Sequence, residues 1–60
     1  MNLNEKIKKQ IDKRKNIIKN QKESVLLYIN DNDFHRVRVA NDSIIKNTDE
    51  IRLLENLLKD

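Results

Sequence analysis

The chain has no cysteine, glycine, proline or tryptophan, and one histidine, one tyrosine and one phenylalanine among its 60 residues. The absence of cysteine excludes disulfides and thiolate metal sites, and a lone histidine excludes sites built from several histidines. The absence of glycine and proline favours long uninterrupted helices. A domain this small usually needs a disulfide, a metal or a partner chain for stability, so self-association is the expected source.

Charge is abundant but unevenly distributed. Charged residues make up 38% of the chain, and the formal net charge is +3. Residues 1–30 carry eight basic and three acidic groups, whereas residues 31–60 carry five and seven. Opposite net charges favour folding the two halves against each other. The opening segment MNLNEKIKKQ has no continuous apolar run, so we expect neither a signal peptide nor a membrane partner.

The first half carries an amphipathic stripe at helical spacing, which predicts a helix over residues 3–29. The stripe is interrupted by Gln10, Arg14 and Gln21. Its apolar members are Leu3, Ile7, Ile11, Ile18, Val25, Tyr28 and Ile29.

The second half carries a heptad pattern that predicts a helix over residues 33–59, after a turn at 30–32. Its core positions are Val37, Ala40, Ile44, Asn47, Ile51, Leu54 and Leu58, widened by Phe34, Ile45 and Thr48. A separate apolar line, Val39–Leu53–Leu57, gives this helix more apolar surface than one partner helix covers.

These patterns predict an all-α fold in a single domain, residues 1–60: an antiparallel two-helix hairpin, resembling a coiled coil, that assembles into a homo-oligomeric bundle. Folding about residue 31 aligns the apolar positions and places polar residues opposite each other. The predicted polar pairs are Arg14 with Thr48 and Gln21 with Asn41, and Tyr28 meets Phe34. Such polar pairs typically set register and oligomeric state, which is the first role we assign to Arg14.

Residues 25–39 also permit a different structure. VLLYI and FHRVRV flank NDND, and both flanks contain residues that strands prefer, which leaves a β-hairpin as the alternative. The heptads run through both flanks, however, and the loop lacks the glycine that short hairpin turns favour. We therefore expect a helix, with Asp33 or Asn32 capping its first turn.

Candidate functional residues cluster around this turn, but they do not suggest catalysis. One histidine and two serines offer no nucleophile with its base, so we predict no enzyme, no catalytic residue and no cofactor. Asp31, Asp33 and His35 are a weak metal-ligand set. Arginine side chains near a helix start suit phosphate, and aromatic rings suit a base. The predicted ligand-binding residues are Tyr28, His35, Arg36, Arg38 and Arg14.

The segment DFHRVRVANDSIIKNTDEIRLLENLL, residues 33–58, resembles small phage-encoded helical proteins. The matching residues are Asp33, Phe34, His35, Val37, Ala40, Glu50, Ile51, Leu54 and Glu55. Phe34 stands where that pattern carries tryptophan, and Arg36 and Arg38 lie outside it. The resemblance implies a phage protein in the cytoplasm of a bacterial host. Small helical phage proteins include oligomers that capture nucleotide signals of bacterial immunity and others that bind host enzymes.

The sequence therefore predicts a non-enzymatic binding protein that sequesters a small phosphorylated ligand, or blocks a host protein, in counter-defence. One alternative is a structural or adaptor coiled coil in which the helices are the interface and no ligand site exists. A second is nucleic-acid binding through the lysine-rich first helix, including Lys8, Lys15, Lys19 and Lys22.

Overall fold

The computed structural model describes residues 2–58, which form two antiparallel helices packed as a hairpin. Helix α1 is Leu3–Asn30 and helix α2 is Phe34–Leu58. The all-α hairpin is thereby confirmed, with the turn one residue later than predicted; the predicted end at residue 59 lies outside the described residues. The β-hairpin alternative is wrong, because residues 25–39 are helical except at the turn. Over the described residues, neither helix has an apolar stretch that would let it cross a membrane.

Helix α1 begins at a side-chain cap. The side-chain oxygen of Asn2 accepts a hydrogen bond from the backbone N–H of Glu5 at 2.8 Å. This bond satisfies one of the backbone donors that a helix start leaves unpaired. The Glu5 carboxylate also lies in the first turn, where the helix dipole favours negative charge.

The turn between the helices is a Schellman motif. The backbone N–H of Asp33 donates to the carbonyl of Tyr28 at 2.8 Å, and that of Asn32 donates to Ile29 at 3.0 Å. Asn32 has a φ of 56°, in the left-handed region. Asparagine tolerates this region better than most residues, so it replaces the glycine usually found there. The sequence allowed Asn32 to cap α2; the structure uses it to end α1.

Asp33 caps α2 instead. Its Oδ1 accepts from the backbone N–H of Arg36 at 3.2 Å, and its Oδ2 lies 3.2 Å from Arg36 Nε. The same carboxylate therefore satisfies a backbone donor and forms an ion pair with the third residue of the helix. The prediction of a helix start in this acidic segment is confirmed.

The core is narrow. The buried residues are Ile7, Ile11, Ala40 and Ile51. Ile7, Ile11 and Ile51 form one cluster, and Ile18, Leu54 and Leu58 pack against it. The prediction that Phe34 belongs to the core and meets Tyr28 is wrong, because Phe34 is 64% exposed. The stripe members Leu3, Ile29 and Ile45 are also exposed. One helix covers only a strip of its partner, so apolar side chains beside that strip stay in solvent.

The polar contact across the hairpin joins Arg14 to Asn47. Arg14 Nη1 donates to Asn47 Oδ1 at 3.0 Å, where a contact with Thr48 was predicted. Thr48 instead donates to the carbonyl of Ile44 in its own helix at 2.7 Å. Asn47 shares its heptad position with the buried Ala40, which places it closer to α1. Arg14 thus pairs with a polar residue of α2, as predicted, but the partner is one residue before the predicted one.

Candidate functional site

The face on one side of the helix contact carries an open groove next to the turn, of about 580 Å³. We call it the turn groove. Both helices contribute to it, because α1 supplies Gln21 and Tyr28 and α2 supplies the rest. Its lining residues are Gln21, Tyr28, His35, Arg36, Val39, Ala40 and Ser43. Three of the five predicted ligand residues, Tyr28, His35 and Arg36, therefore meet in one place.

Arg36 links the turn to the aromatic ring. Its guanidinium carbon lies 5.8 Å from the centre of the Tyr28 ring, within the range of a cation–π contact. Its Nε pairs with Asp33, whereas its terminal nitrogens make no hydrogen bond to residues 2–58. Arg36 therefore has a structural role at the turn. Its contacts with Asp33 stabilise the start of α2, and its terminal nitrogens still present hydrogen-bond donors to solvent.

The start of α2 is a weaker anion site than the sequence suggested. The backbone N–H of Arg36 already donates to Asp33. An incoming anion therefore competes with this carboxylate for the helix end, and its charge is repelled. The donors that remain for a ligand are side chains, namely the outer nitrogens of Arg36, the His35 imidazole and the polar groups of Gln21 and Ser43.

Gln21 does not pair with Asn41 as predicted. Gln21 lines the turn groove, whereas Asn41 lines a smaller groove on the other side of the helix contact, which we call the opposite groove. On α2, Ser43 and Asn41 lie on the two sides of the buried line through Ala40 and Ile51, so the two side chains diverge. This polar layer of the predicted hairpin is absent from the described residues.

Arg14 lies away from the turn. It borders a second groove of about 570 Å³, which shares Val39 and Ser43 with the turn groove and also contains Asp42, Lys46 and Glu50. Fourteen residues separate Arg14 from Tyr28, about 21 Å at 1.5 Å per residue, so one small ligand does not contact both. The Arg14 Nε is buried without a hydrogen-bond partner among the described residues. This geometry favours the register role of Arg14 over a role in the turn groove.

Arg38 lies in the opposite groove, of about 340 Å³, with Lys22, Val25 and Phe34. The five predicted ligand residues are thus divided: three at the turn groove, one in the adjoining groove and one on the other face. Neighbours in sequence separate in this way because adjacent helix positions differ by about 100° around the axis.

The structure does not assemble the weak metal-ligand set. No three histidine or carboxylate side chains of residues 2–58 gather closely enough to hold a metal ion. Asp33, one of the three candidates, points its carboxylate at Arg36 instead. A chemical role for the turn therefore depends on hydrogen bonding, charge and stacking.

Two surface features extend beyond the predicted site. Val39, Leu53 and Leu57 are 57%, 61% and 59% exposed, so the separate apolar line of α2 has no cover within the hairpin. On the other side, Arg38 of α2 lines the opposite groove with Lys22 of α1, and the spacing places Arg52 on the same side of α2, so cations are not confined to α1. The signal for this was present, because Arg38, Ile45 and Arg52 are spaced by seven residues, as are Lys8, Lys15 and Lys22.

The site is an open groove with aromatic, cationic and polar side chains from both helices. Comparison with known proteins found no matching family model, no matching curated protein and no matching solved structure.

Proposed function

We propose that the chain is a non-enzymatic binding protein, active as a homo-oligomer of helical hairpins, that holds a small phosphorylated ligand such as a nucleotide in the turn groove. The observation that carries the proposal is the meeting of Tyr28, His35 and Arg36 in one groove. An aromatic face and forked cationic donors are the groups that bind a base and a phosphate.

The chemistry of recognition follows from the side chains. The base stacks on the Tyr28 ring, beside which the Arg36 guanidinium already lies. The phosphate accepts hydrogen bonds from the outer nitrogens of Arg36 and from the His35 imidazole. Gln21 and Ser43, which also line the groove, contribute polar contacts. The nearby Asp33 carboxylate repels an extended polyanion, so a compact ligand suits this groove best.

Self-association completes the groove. A single hairpin leaves it open to water, which weakens every polar contact with the ligand. Val39 lies in the groove wall and, with Leu53 and Leu57, belongs to the exposed apolar line. A second hairpin packed on that line covers the groove and removes apolar surface from water in the same step.

The resemblance to small phage-encoded proteins supports a biological setting for this chemistry. A phage protein that captures a nucleotide signal in the cytoplasm of its bacterial host prevents a defence response. Blocking a host protein serves the same end, and the oligomer then uses its outer surface in place of the groove.

The test combines native mass spectrometry of the freshly purified protein with thermal shift measurements. The first gives the subunit number and any ligand that co-purifies. In the second, mononucleotides and cyclic dinucleotides raise the melting temperature of the wild-type chain, whereas inorganic phosphate has less effect because it cannot stack. Tyr28→Leu and His35→Ala abolish the shift.

The control is Arg38→Gln, a change on the other face of the hairpin. It retains the nucleotide-induced shift. An absence of any shift in the wild-type protein, or an equal loss in the control, contradicts the proposed ligand site.

The second candidate is a structural or adaptor oligomerisation module. It is favoured by the extent of exposed apolar surface and by the engagement of Arg36 with Asp33. In that case the oligomer forms, but its melting temperature is indifferent to nucleotides and its assembly is unchanged by His35→Ala.

A further inference from the structure

We propose that the face opposite the turn groove binds the phosphate backbone of nucleic acid through cations from both helices. We call this surface the cationic face. Its six members share one side of the helix contact: Lys8, Lys15, Lys19, Lys22, Arg38 and Arg52. It stands independently of the small-ligand proposal, because the two use different sides of the hairpin.

The geometry places two rows of charge side by side. Lys22 and Arg38 line the same groove, which fixes the two helices relative to each other at that level. On α1, Lys22, Lys15 and Lys8 are spaced by seven residues, so they form one row along the helix. On α2, Arg38, Ile45 and Arg52 have the same spacing, so the two arginines form a second row with Ile45 between them. Because the helices run antiparallel, the rows stay in step for about 21 Å, at 1.5 Å per residue.

These charges are not neutralised by the described part of the chain. The ion pair within 4 Å that residues 2–58 contain joins Arg36 to Asp33, away from the cationic face. Asp12 and Glu23 flank the lysine row at its outer edge, and Glu55 lies on the same side of α2. None of the three forms an ion pair within 4 Å in the described residues. Six cations on one side of a chain whose net charge is +3 concentrate the positive potential there.

The composition of the face favours nucleic acid over a lipid surface. A helix that lies in a bilayer interface needs a broad apolar strip beside its basic residues. Here Phe34, 64% exposed, lies beside Lys22 and Arg38 at the turn end. Farther along α2, Ile45 is the exposed large apolar side chain between the two arginines. The polar Asn41 lines the same groove as Phe34. An amide group beside lysine and arginine is a usual contact to phosphate oxygens.

The width of the hairpin indicates how it would contact a duplex. The Cα trace measures 44 × 17 × 11 Å, so with side chains the paired helices are too wide to enter a major groove of about 12 Å. The cationic face therefore contacts phosphates from outside the grooves. Such contacts carry no base information, and the binding is independent of sequence.

The test measures binding of the full chain to a fluorescently labelled DNA duplex by anisotropy at several salt concentrations. Neutralising six phosphates predicts a slope of about −5 for the logarithm of the association constant against that of the salt concentration. The affinity then falls about 1,000-fold between about 50 mM and about 200 mM salt.

Three double variants locate the face. Lys15→Gln with Lys22→Gln reduces the magnitude of the slope by about 2, and so does Arg38→Gln with Arg52→Gln. The control, Lys9→Gln with Lys13→Gln, makes the same change in net charge on the other side of α1 and leaves the slope unchanged. Circular dichroism confirms that each variant remains helical.

Four results would overturn the proposal. They are the absence of duplex binding at about 50 mM salt, an equal loss in the control variant, no effect of the two arginines, and binding to phosphatidylserine vesicles without binding to the duplex. An equal loss in the control variant would indicate a response to net charge alone. No effect of the two arginines would indicate a surface confined to α1, and binding to vesicles without binding to the duplex would indicate a membrane-binding face.

Discussion

The contact between Arg14 and Asn47 is the residue-scale feature that ties one helix to the other. Asn47 is held in place by its own helix, because its Nδ2 donates to the carbonyl of Ser43 at 2.9 Å. Its oxygen is thereby aimed at Arg14, 3.0 Å away. A half-buried arginine that loses its acceptor retains the cost of desolvation without the compensating bond.

We therefore predict that Asn47→Leu lowers the free energy of unfolding by about 1 kcal/mol, and that adding Arg14→Met recovers most of this loss. The double variant replaces the polar pair by apolar groups, so neither side chain is left unpaired. Urea denaturation of the wild type, the two single variants and the double variant gives the coupling energy directly. Strictly additive effects would show that the two side chains do not depend on each other.

Asp33 carries a second residue-scale prediction. Asp33→Ala removes both the cap on α2 and the ion pair with Arg36, and we expect a loss of about 1 kcal/mol in stability. Asp33→Asn keeps an oxygen that accepts from the Arg36 backbone and removes the charge, so it costs less. Thermal unfolding at fixed protein concentration compares them. Equal losses in the two variants would mean that the cap itself contributes nothing.

Residue roles were only partly predictable from the sequence. The capping role of Asp33 follows from local chemistry, because the capping side chain and the backbone N–H that donates to it are three residues apart. The Arg36–Tyr28 contact does not, because it depends on the conformation of the turn between them. The exposure of Phe34 has a similar cause: its position at the edge of the stripe is decided by the helix crossing, which the sequence leaves open.

At the scale of elements, the turn that connects the two helices has a specific backbone conformation. The left-handed Asn32 allows two backbone hydrogen bonds that end α1 before Asp33 starts α2. A residue with a Cβ and no local polar group is disfavoured in that region by about 1–2 kcal/mol.

We predict that Asn32→Ala destabilises the hairpin by about 1 kcal/mol, whereas Asn32→Gly, the matched control, does not. Glycine has no Cβ to oppose the positive φ. Chemical denaturation at equal protein concentrations separates the two. A stable alanine variant beside a destabilised glycine variant would contradict the left-handed conformation of this turn.

The elements themselves were largely predictable, since the two heptad patterns located both helices to within one residue at the turn. The register was predictable to one residue only. Asn47 and Thr48 are both polar and both lie near the contact line, so the pattern alone could not choose between them as partners of Arg14. The position around the helix decides it, because Asn47 shares its heptad position with the buried Ala40 and so lies closer to α1.

At the scale of the whole molecule, the hairpin buries very little. Four residues of the described chain are buried, and no large side chain among them is fully enclosed. A two-helix domain of this size gains little from burial against the conformational entropy it loses, which is why small domains rely on partners. The cationic face disfavours its own pairing by repulsion, whereas the Val39–Leu53–Leu57 line is accompanied by Lys46 and Glu50, whose charges are opposite.

We predict that association runs through this apolar line. Leu53→Gln with Leu57→Gln shifts the protein toward the 7.2 kDa single chain in sedimentation velocity, and lowers its melting temperature at a given concentration. The control, Leu26→Gln with Leu27→Gln, alters two leucines that are 65% and 63% exposed on α1 and preserves the oligomer. If the wild-type chain is a single hairpin across micromolar concentrations, the predicted association is wrong, and so is the proposal that a second hairpin covers the turn groove. If instead the control pair alone dissociates the oligomer, the interface lies on α1 and the turn groove remains open to solvent.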